Sequence, residues 1–247
     1  MKGKWIRLSP ARRFITDLSY FARRTPIGVI RRKVNIAPAI AARKASPARI
    51  PWTVLFAKAF SLAAQNEPEL RRTYALLPWP HLHQLDISVA SIMIERVIDG
   101  ERVVLPARIK NPAERSLTEL ATALDEFVTK PIEEIDHLDT ILMVSKWPLL
   151  IRRLLWFFAF NIGRMRPNFF GTFGMSVLGH KSANINFPVS PVTSFLSYGP
   201  FEPNGDVEIT MSFDHRTFDG ALIAETMGVI AEKLNGPLAE ELASLDA

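Results

Sequence analysis

The sequence contains no cysteine. That absence removes disulfides, thiolate metal sites and a cysteine nucleophile together and permits a reducing compartment; with no signal peptide expected, the setting reads as cytoplasmic. Acid is scarce at the front of the chain. Residues 1–49 carry Lys2, Lys4, Arg7, Arg12, Arg13, Arg23, Arg24, Arg31, Arg32, Lys33, Arg43, Lys44 and Arg49 against the single acid Asp17. Such an arm suits phosphates, anionic lipid or an acidic patch on a sister subunit. No aromatic and basic signature of an RNA-recognition type accompanies it, so nucleic acid is not an expected partner.

Other absences narrow the chemistry. No apolar core with a cleavage site follows the basic start, so no signal peptide is expected. The unbroken apolar run at residues 154–160 falls far short of the roughly 20 residues a spanning helix needs. There is no Gly-x-Ser-x-Gly elbow, and no glycine-rich phosphate loop paired with a strand lysine. The pair His81 and His83 has no third ligand at useful spacing, so no metal site is expected.

What remains is globular composition: 247 residues, 48% apolar and 22% charged, with a formal net charge of +5. One domain spanning residues 1–247 is the expectation, with a basic arm and helix over 1–30 and an apolar insertion over 146–167. Ser9 and Pro10 start an amphipathic helix carrying Phe14, Leu18 and Phe21. Residues 51–66 read as a buried helix. The alternating stretch from Asp86 turns at Asp99-Gly100 into a second strand. Ser116 and Glu119 have capping-box spacing ahead of a helix. Further strands are expected at 171–179, 193–199 and 206–215. Helices mixed with strands outside regular βαβ alternation predict an α+β sandwich, a mixed sheet against helices.

The segment KWPLLIRRLLWFFAFNIGRMRP, residues 146–167, stands apart as strongly apolar and aromatic. A buried or subunit-packing helix is the first expectation. An interfacial helix on lipid, arginines toward the head groups, or a wall for an acyl chain are the functional alternatives.

The stretch MSFDHRTFDG, residues 211–220, carries the chemistry. In residues 207–213 the odd positions form an apolar face, and strand parity continues it to His215, which is therefore expected to point inward. Ser212 and Asp214 point the other way. A histidine at the protected end of a strand suits a general base working near neutral pH. Asp219 falls where a helix cap belongs, ahead of Leu222, Ile223, Met227, Ile230 and Leu234. The residues alone leave two readings open: a catalytic base in a constructed turn, or a core histidine beside an ordinary cap.

SFDHRTFDGA resembles the His-Arg-x-x-Asp-Gly signature of the catalytic domain of 2-oxoacid dehydrogenase acyltransferases, the E2 components, and more loosely the His-x-x-x-Asp-Gly signature of chloramphenicol acetyltransferase. GTFGMSVLG is similar to an E2 strand. PWTVLFAKAFSLAAQNEPEL and VVLPARIKNPAERSLTELA resemble E2 segments in the same order.

The resemblance implies a chloramphenicol acetyltransferase-like two-layer sandwich of mixed β-sheet with flanking helices, in a stand-alone form without a lipoyl domain. It implies a homotrimer or a higher assembly of trimers, with the active site in a channel between subunits. It further implies a CoA-dependent acyltransferase with no tightly bound cofactor, coenzyme A or acyl-CoA being substrate and the acceptor unknown. His215 would be the general base and Ser176 the oxyanion donor, from another subunit. Asp219, followed by Gly220, would hold the site through Arg12, with Arg13 as the neighbouring alternative. A catalytically inactive trimeric scaffold that binds acyl or lipid ligands is the alternative, and peripheral membrane contact through 146–167 a further one.

Overall fold

The computed structural model describes residue 3, residues 5–176 and residues 191–245. Helix α1 (Pro10–Ala22) begins where Ser9 caps it, the serine oxygen accepting from the Arg12 backbone N–H at 3.1 Å. Strand β1 (Ile27–Asn35) and the short helix α2 (Ala37–Ala45) follow, then α3 (Trp52–Asn66), which is buried along most of its length. A small ribbon pairs β2 (Arg72–Ala75) with β3 (His81–Gln84). Strands β4 (Val89–Ile98) and β5 (Glu101–Lys110) form the expected hairpin. Asp99 and Gly100 both take positive φ at its tip, +50° and +79°, as a two-residue primed turn requires.

Helix α4 (Leu117–Thr129) carries the complete capping box of Ser116 and Glu119. The apolar segment does not form one helix. Pro148 and Gly163 separate α5 (Asp136–Lys146), α6 (Leu149–Asn161) and α7 (Met165–Phe170). The chain closes with β6 (Phe173–Met175), β7 (Ser194–Phe201), β8 (Asp206–Asp214), α8 (Gly220–Asn235) and α9 (Pro237–Ala243). Of the strand expected at 171–179, residues 173–175 pair in the sheet, and 177–179 lie outside the described residues.

Six strands make the main sheet in the order β1-β8-β7-β6-β4-β5. β6 runs parallel to both its neighbours and the other pairings are antiparallel, so the sheet is mixed. Helices cover it on both faces. On one face Val207, Ile209, Met211 and Phe213 of β8 join a core with Phe56 and Phe60 of α3 and Ile223, Met227 and Ile230 of α8. On the other, Phe195 of β7 packs with Phe14 of α1, Ile141 of α5, Trp156 of α6 and Phe170 of α7. The result is the α+β arrangement of a mixed sheet and flanking helices.

The arginines of α6 run against one expectation. Arg152, Trp156 and Ala159 recur at helical spacing and all face inward. The Arg152 Nε donates to Asp17 of α1 at 2.5 Å, and the Arg153 guanidinium lies 4.1 Å from the centre of the Tyr20 ring. The outer face is left to Leu150, Ile151, Leu154 and Phe158, with Leu150 82% exposed. Arg152 and Arg153 thus do not reach outward to lipid head groups: Asp17 is buried and draws them in. No helix among the described residues is long and apolar enough to cross a membrane.

Candidate functional site

His215 leaves the sheet at the end of β8. Its backbone N–H donates to the Pro26 carbonyl at 2.9 Å, just ahead of β1, and its ring centre lies 5.3 Å from that of Phe213. The Phe213 ring lies over Gly28 of β1, where any Cβ would fall 2.5 Å from it. A larger residue at 28 would displace the ring beside the histidine.

The inward orientation expected for His215 is corrected by the structure: its side chain is 53% exposed. Parity fails because the strand ends at Asp214 and the chain turns at once. Asp214 builds that turn. Its backbone N–H donates to Thr193, its carbonyl accepts from Thr217 and Phe218, and its Oδ1 accepts the Arg216 backbone N–H at 3.1 Å. A carboxylate bonding the N–H two residues on is an Asx turn. It frees His215 from the strand and fixes its backbone.

Asp214 is fully buried, under the second helical layer. Two arginines meet it there. Arg216 grips it through both carboxylate oxygens at 2.9 and 2.7 Å, and Arg166 of α7 approaches Oδ2 at 3.8 Å. The Arg166 Nε donates to the Pro191 carbonyl at 2.8 Å. Burial, above all, pushes the Arg166 pKa down to about 10, with Asp214 opposing and Arg216 adding to the shift. The Arg216 guanidinium also stacks 4.3 Å from the centre of the Tyr74 ring.

Asp219 stands at the cap position of α8, but its side chain makes no cap hydrogen bond and is 92% exposed. Its Oδ1 lies 3.9 Å from His215 Nδ1, close enough for Coulomb attraction and too far for a hydrogen bond. Gly220 begins α8, where an added Cβ would meet Ile30 of β1 at 3.3 Å. Arg12 is engaged elsewhere: its Nε and Nη2 donate to Glu101 at 3.1 and 3.0 Å. Within one chain it therefore holds α1 against the β4–β5 hairpin, not Asp219, because Glu101 is the carboxylate within its reach.

Ser176 follows β6, half-buried, and its backbone N–H donates to Leu196 at 3.3 Å. Register places it far from His215 in the same chain. Met175 aligns with Leu196 and Leu196 with Met211, so Ser176 lies near the Thr210 level, two strands from β8. At about 3.3 Å per residue and about 4.8 Å between strands, the two side chains are roughly 15–20 Å apart.

The sequence reading missed Asp214, Arg166 and Arg216 as site residues. A charged residue in an alternating strand, immediately before the histidine, was the available signal for Asp214. Nothing in the sequence announced Arg166. His81 and His83 belong to β3, and no group of three or more metal-binding side chains occurs among the described residues.

Three solved structures share this architecture. A truncated catalytic core of the 2-oxoacid dehydrogenase multienzyme complex from Thermoplasma acidophilum has a TM-score of 0.69 at 16% identity, over 95% of this chain and 99% of that one. The dihydrolipoamide acetyltransferase of Azotobacter vinelandii, whose serine, histidine and asparagine were investigated for roles in catalysis, has a TM-score of 0.66 at 16% identity, over 96% and 93%. A chloramphenicol acetyltransferase follows with a TM-score of 0.50 at 13% identity, over 95% and 98%. No protein-family model and no curated protein matches the sequence. The chain has the fold of the E2 catalytic cores, the chloramphenicol acetyltransferase-like sandwich.

Proposed function

We propose that this chain is an acyltransferase that moves an acyl group between a CoA thioester and a small or lipid-like acceptor, with His215 as general base. One observation carries the reading. In a fold shared with acetyltransferases, His215 is presented at a strand end by a turn whose buried Asp214 is gripped by Arg216. In the Azotobacter enzyme the histidine and the asparagine investigated for catalysis stand four residues apart, and His215 and Asp219 have the same spacing.

The chemistry follows from the groups available. The neutral imidazole takes the proton of the acceptor's thiol or hydroxyl as its sulfur or oxygen attacks the thioester carbonyl. The tetrahedral intermediate places negative charge on the former carbonyl oxygen. Its collapse breaks the carbon–sulfur bond, and the CoA thiolate recovers the proton from the imidazolium.

Ser176 is the proposed oxyanion donor, worth about 3 kcal/mol in a well-aligned site. The separation of Ser176 and His215 within one chain supports a second copy as the source of that hydroxyl, in a trimeric assembly with the site between subunits. The apolar outer row of α6, with its arginines turned inward, is a surface for such a subunit contact. A lipid surface is the other occupant it fits, and flotation with liposomes separates the two.

His215→Ala is expected to abolish transfer from acyl-CoA across a panel of thiol and hydroxyl acceptors, by a factor of about 100 or more, while sedimentation shows the same oligomer. Full activity in that variant overturns the assignment. A scaffold that binds acyl-CoA without turnover is the second reading, favoured by the exposure of both His215 and Asp219. Acyl-CoA retained through purification with no product on any acceptor would support it.

A further inference from the structure

The turn that carries His215 also borders a cavity of about 450 Å³, within the range of small-molecule sites. Arg216, the residue after the histidine, lines it, together with Arg24, Arg166, Tyr74, Phe157 and Phe160. One wall is therefore guanidinium and the other is aromatic, from α6. Among the described residues no acidic side chain lines it. Behind the wall Asp214 is shared by Arg166 and Arg216, so one carboxylate faces two cations. Among the described residues no carboxylate pairs with Arg24. The cavity wall thus carries an excess of positive charge in partly dry surroundings, where an anion would interact more strongly than in water.

Two of the arginines have fixed geometry as well as charge. Arg216 is held by both carboxylate oxygens and stacked on Tyr74, and Arg166 is pinned by the Pro191 carbonyl. Planar guanidiniums held in place suit the flat or trigonal oxygens of a carboxylate or phosphate. Phe157 and Phe160 offer the rest of the ligand an apolar surface.

We propose that this cavity binds the carboxylate or phosphate end of a ligand whose body is apolar. On the acyltransfer reading, on which only this part rests, it selects an acyl chain or acceptor that carries such an anion away from the reacting carbon.

The test is calorimetric titration of the full chain with octanoate, octyl phosphate and 1-octanol. At least one of the two anions is expected to bind saturably, once per chain, and about tenfold or more tighter than the alcohol. Arg24→Gln should weaken that anion by about fivefold and leave the alcohol unchanged. Phe157→Ser should weaken all ligands that bind. Equal affinity for anion and alcohol, or anion binding indifferent to Arg24→Gln, overturns the proposal. His215→Ala keeps the binding, because the histidine does not line the cavity. A protein that binds the anions and transfers nothing defeats the acyltransferase reading and leaves the cavity standing. One that transfers acyl groups but binds neither anion defeats the cavity alone.

Discussion

The two helical layers cover one sheet by different chemistry. Under α3 and α8 the contacts are mostly apolar: Phe60 stacks on Phe173 with ring centres 4.1 Å apart, Phe56 stacks on Tyr198 at 4.2 Å, and the buried Lys58 pairs with Glu241, whose carboxylate stays partly exposed. Under α1, α6 and α7 the packing is also aromatic, but charges are sealed within it: Asp17 with Arg152, and Asp214 with Arg166 and Arg216. Buried ion pairs are poor sources of net stability, because desolvation offsets most of their attraction. Their presence on the face that shapes the His215 turn and its cavity suggests a division of labour. The first layer supplies cohesion, and the second holds polar groups in place at a cost in stability.

The largest test of that contrast is Asp214→Ala. It strands Arg166 without its carboxylate and removes the Asx turn, and should destabilise by about 3–5 kcal/mol. Phe60→Ala, on the first layer, should cost about as much through its cavity. The two part company in function: urea unfolding should show similar losses, while ligand binding in the Arg24–Arg166–Arg216 cavity should fail at 25 °C in Asp214→Ala and survive in Phe60→Ala. Equal survival of binding would erase the distinction.

A second test asks whether the Asp17–Arg152 pair stabilises the fold at all. Asp17→Leu alone leaves Arg152 buried and unpaired and should cost about 3 kcal/mol. Adding Arg152→Met should recover most of that, since an apolar pair avoids the desolvation of both ions. Failure of the double variant to recover, read from unfolding midpoints, would show that the pair itself holds α6 to α1.

The smallest effect concerns pH. His137 of α5 is held neutral chiefly by burial, its pKa pushed down to about 4 from 6.5, while its Nε2 contacts the Pro106 carbonyl at 2.8 Å. Between those values the unfolded chain binds the extra proton, so stability falls as the pH is lowered through that window. Allowing for the partial exposure of the ring, the loss should be about 2 kcal/mol. His137→Gln should remove that part of the slope. Glu101, Glu119 and Asp206, whose pKa values are also lowered, lose their contributions as acid is added in both proteins, and cancel in the difference.

Much of the fold was legible because it is written in local patterns. Ser9 and Ser116 cap the helices they were expected to cap, Asp99-Gly100 makes the hairpin turn, and the odd positions of β8 do face an apolar core. The site was legible only in its motif. His215 was placed inward because alternation was carried one residue past the end of the strand. Asp214 does point away from the apolar face, but nothing in the sequence said that α1, α6 and α7 cover that side too.

What the sequence by itself determined is therefore a part of the elements, among them α1, α3, α4, the β4–β5 hairpin and β8, and the place of His215 at a strand end, since caps, turns and period-two alternation depend on neighbours a few residues apart. Only the tertiary structure decided that α6 turns Arg152 to Asp17, that Arg12 meets Glu101, and that Arg24, Arg166 and Arg216 line one cavity. Those contacts join residues far apart in the chain. Charge pairing in a low-dielectric interior is set by which carboxylate the fold brings within reach, and no local pattern encodes that distance.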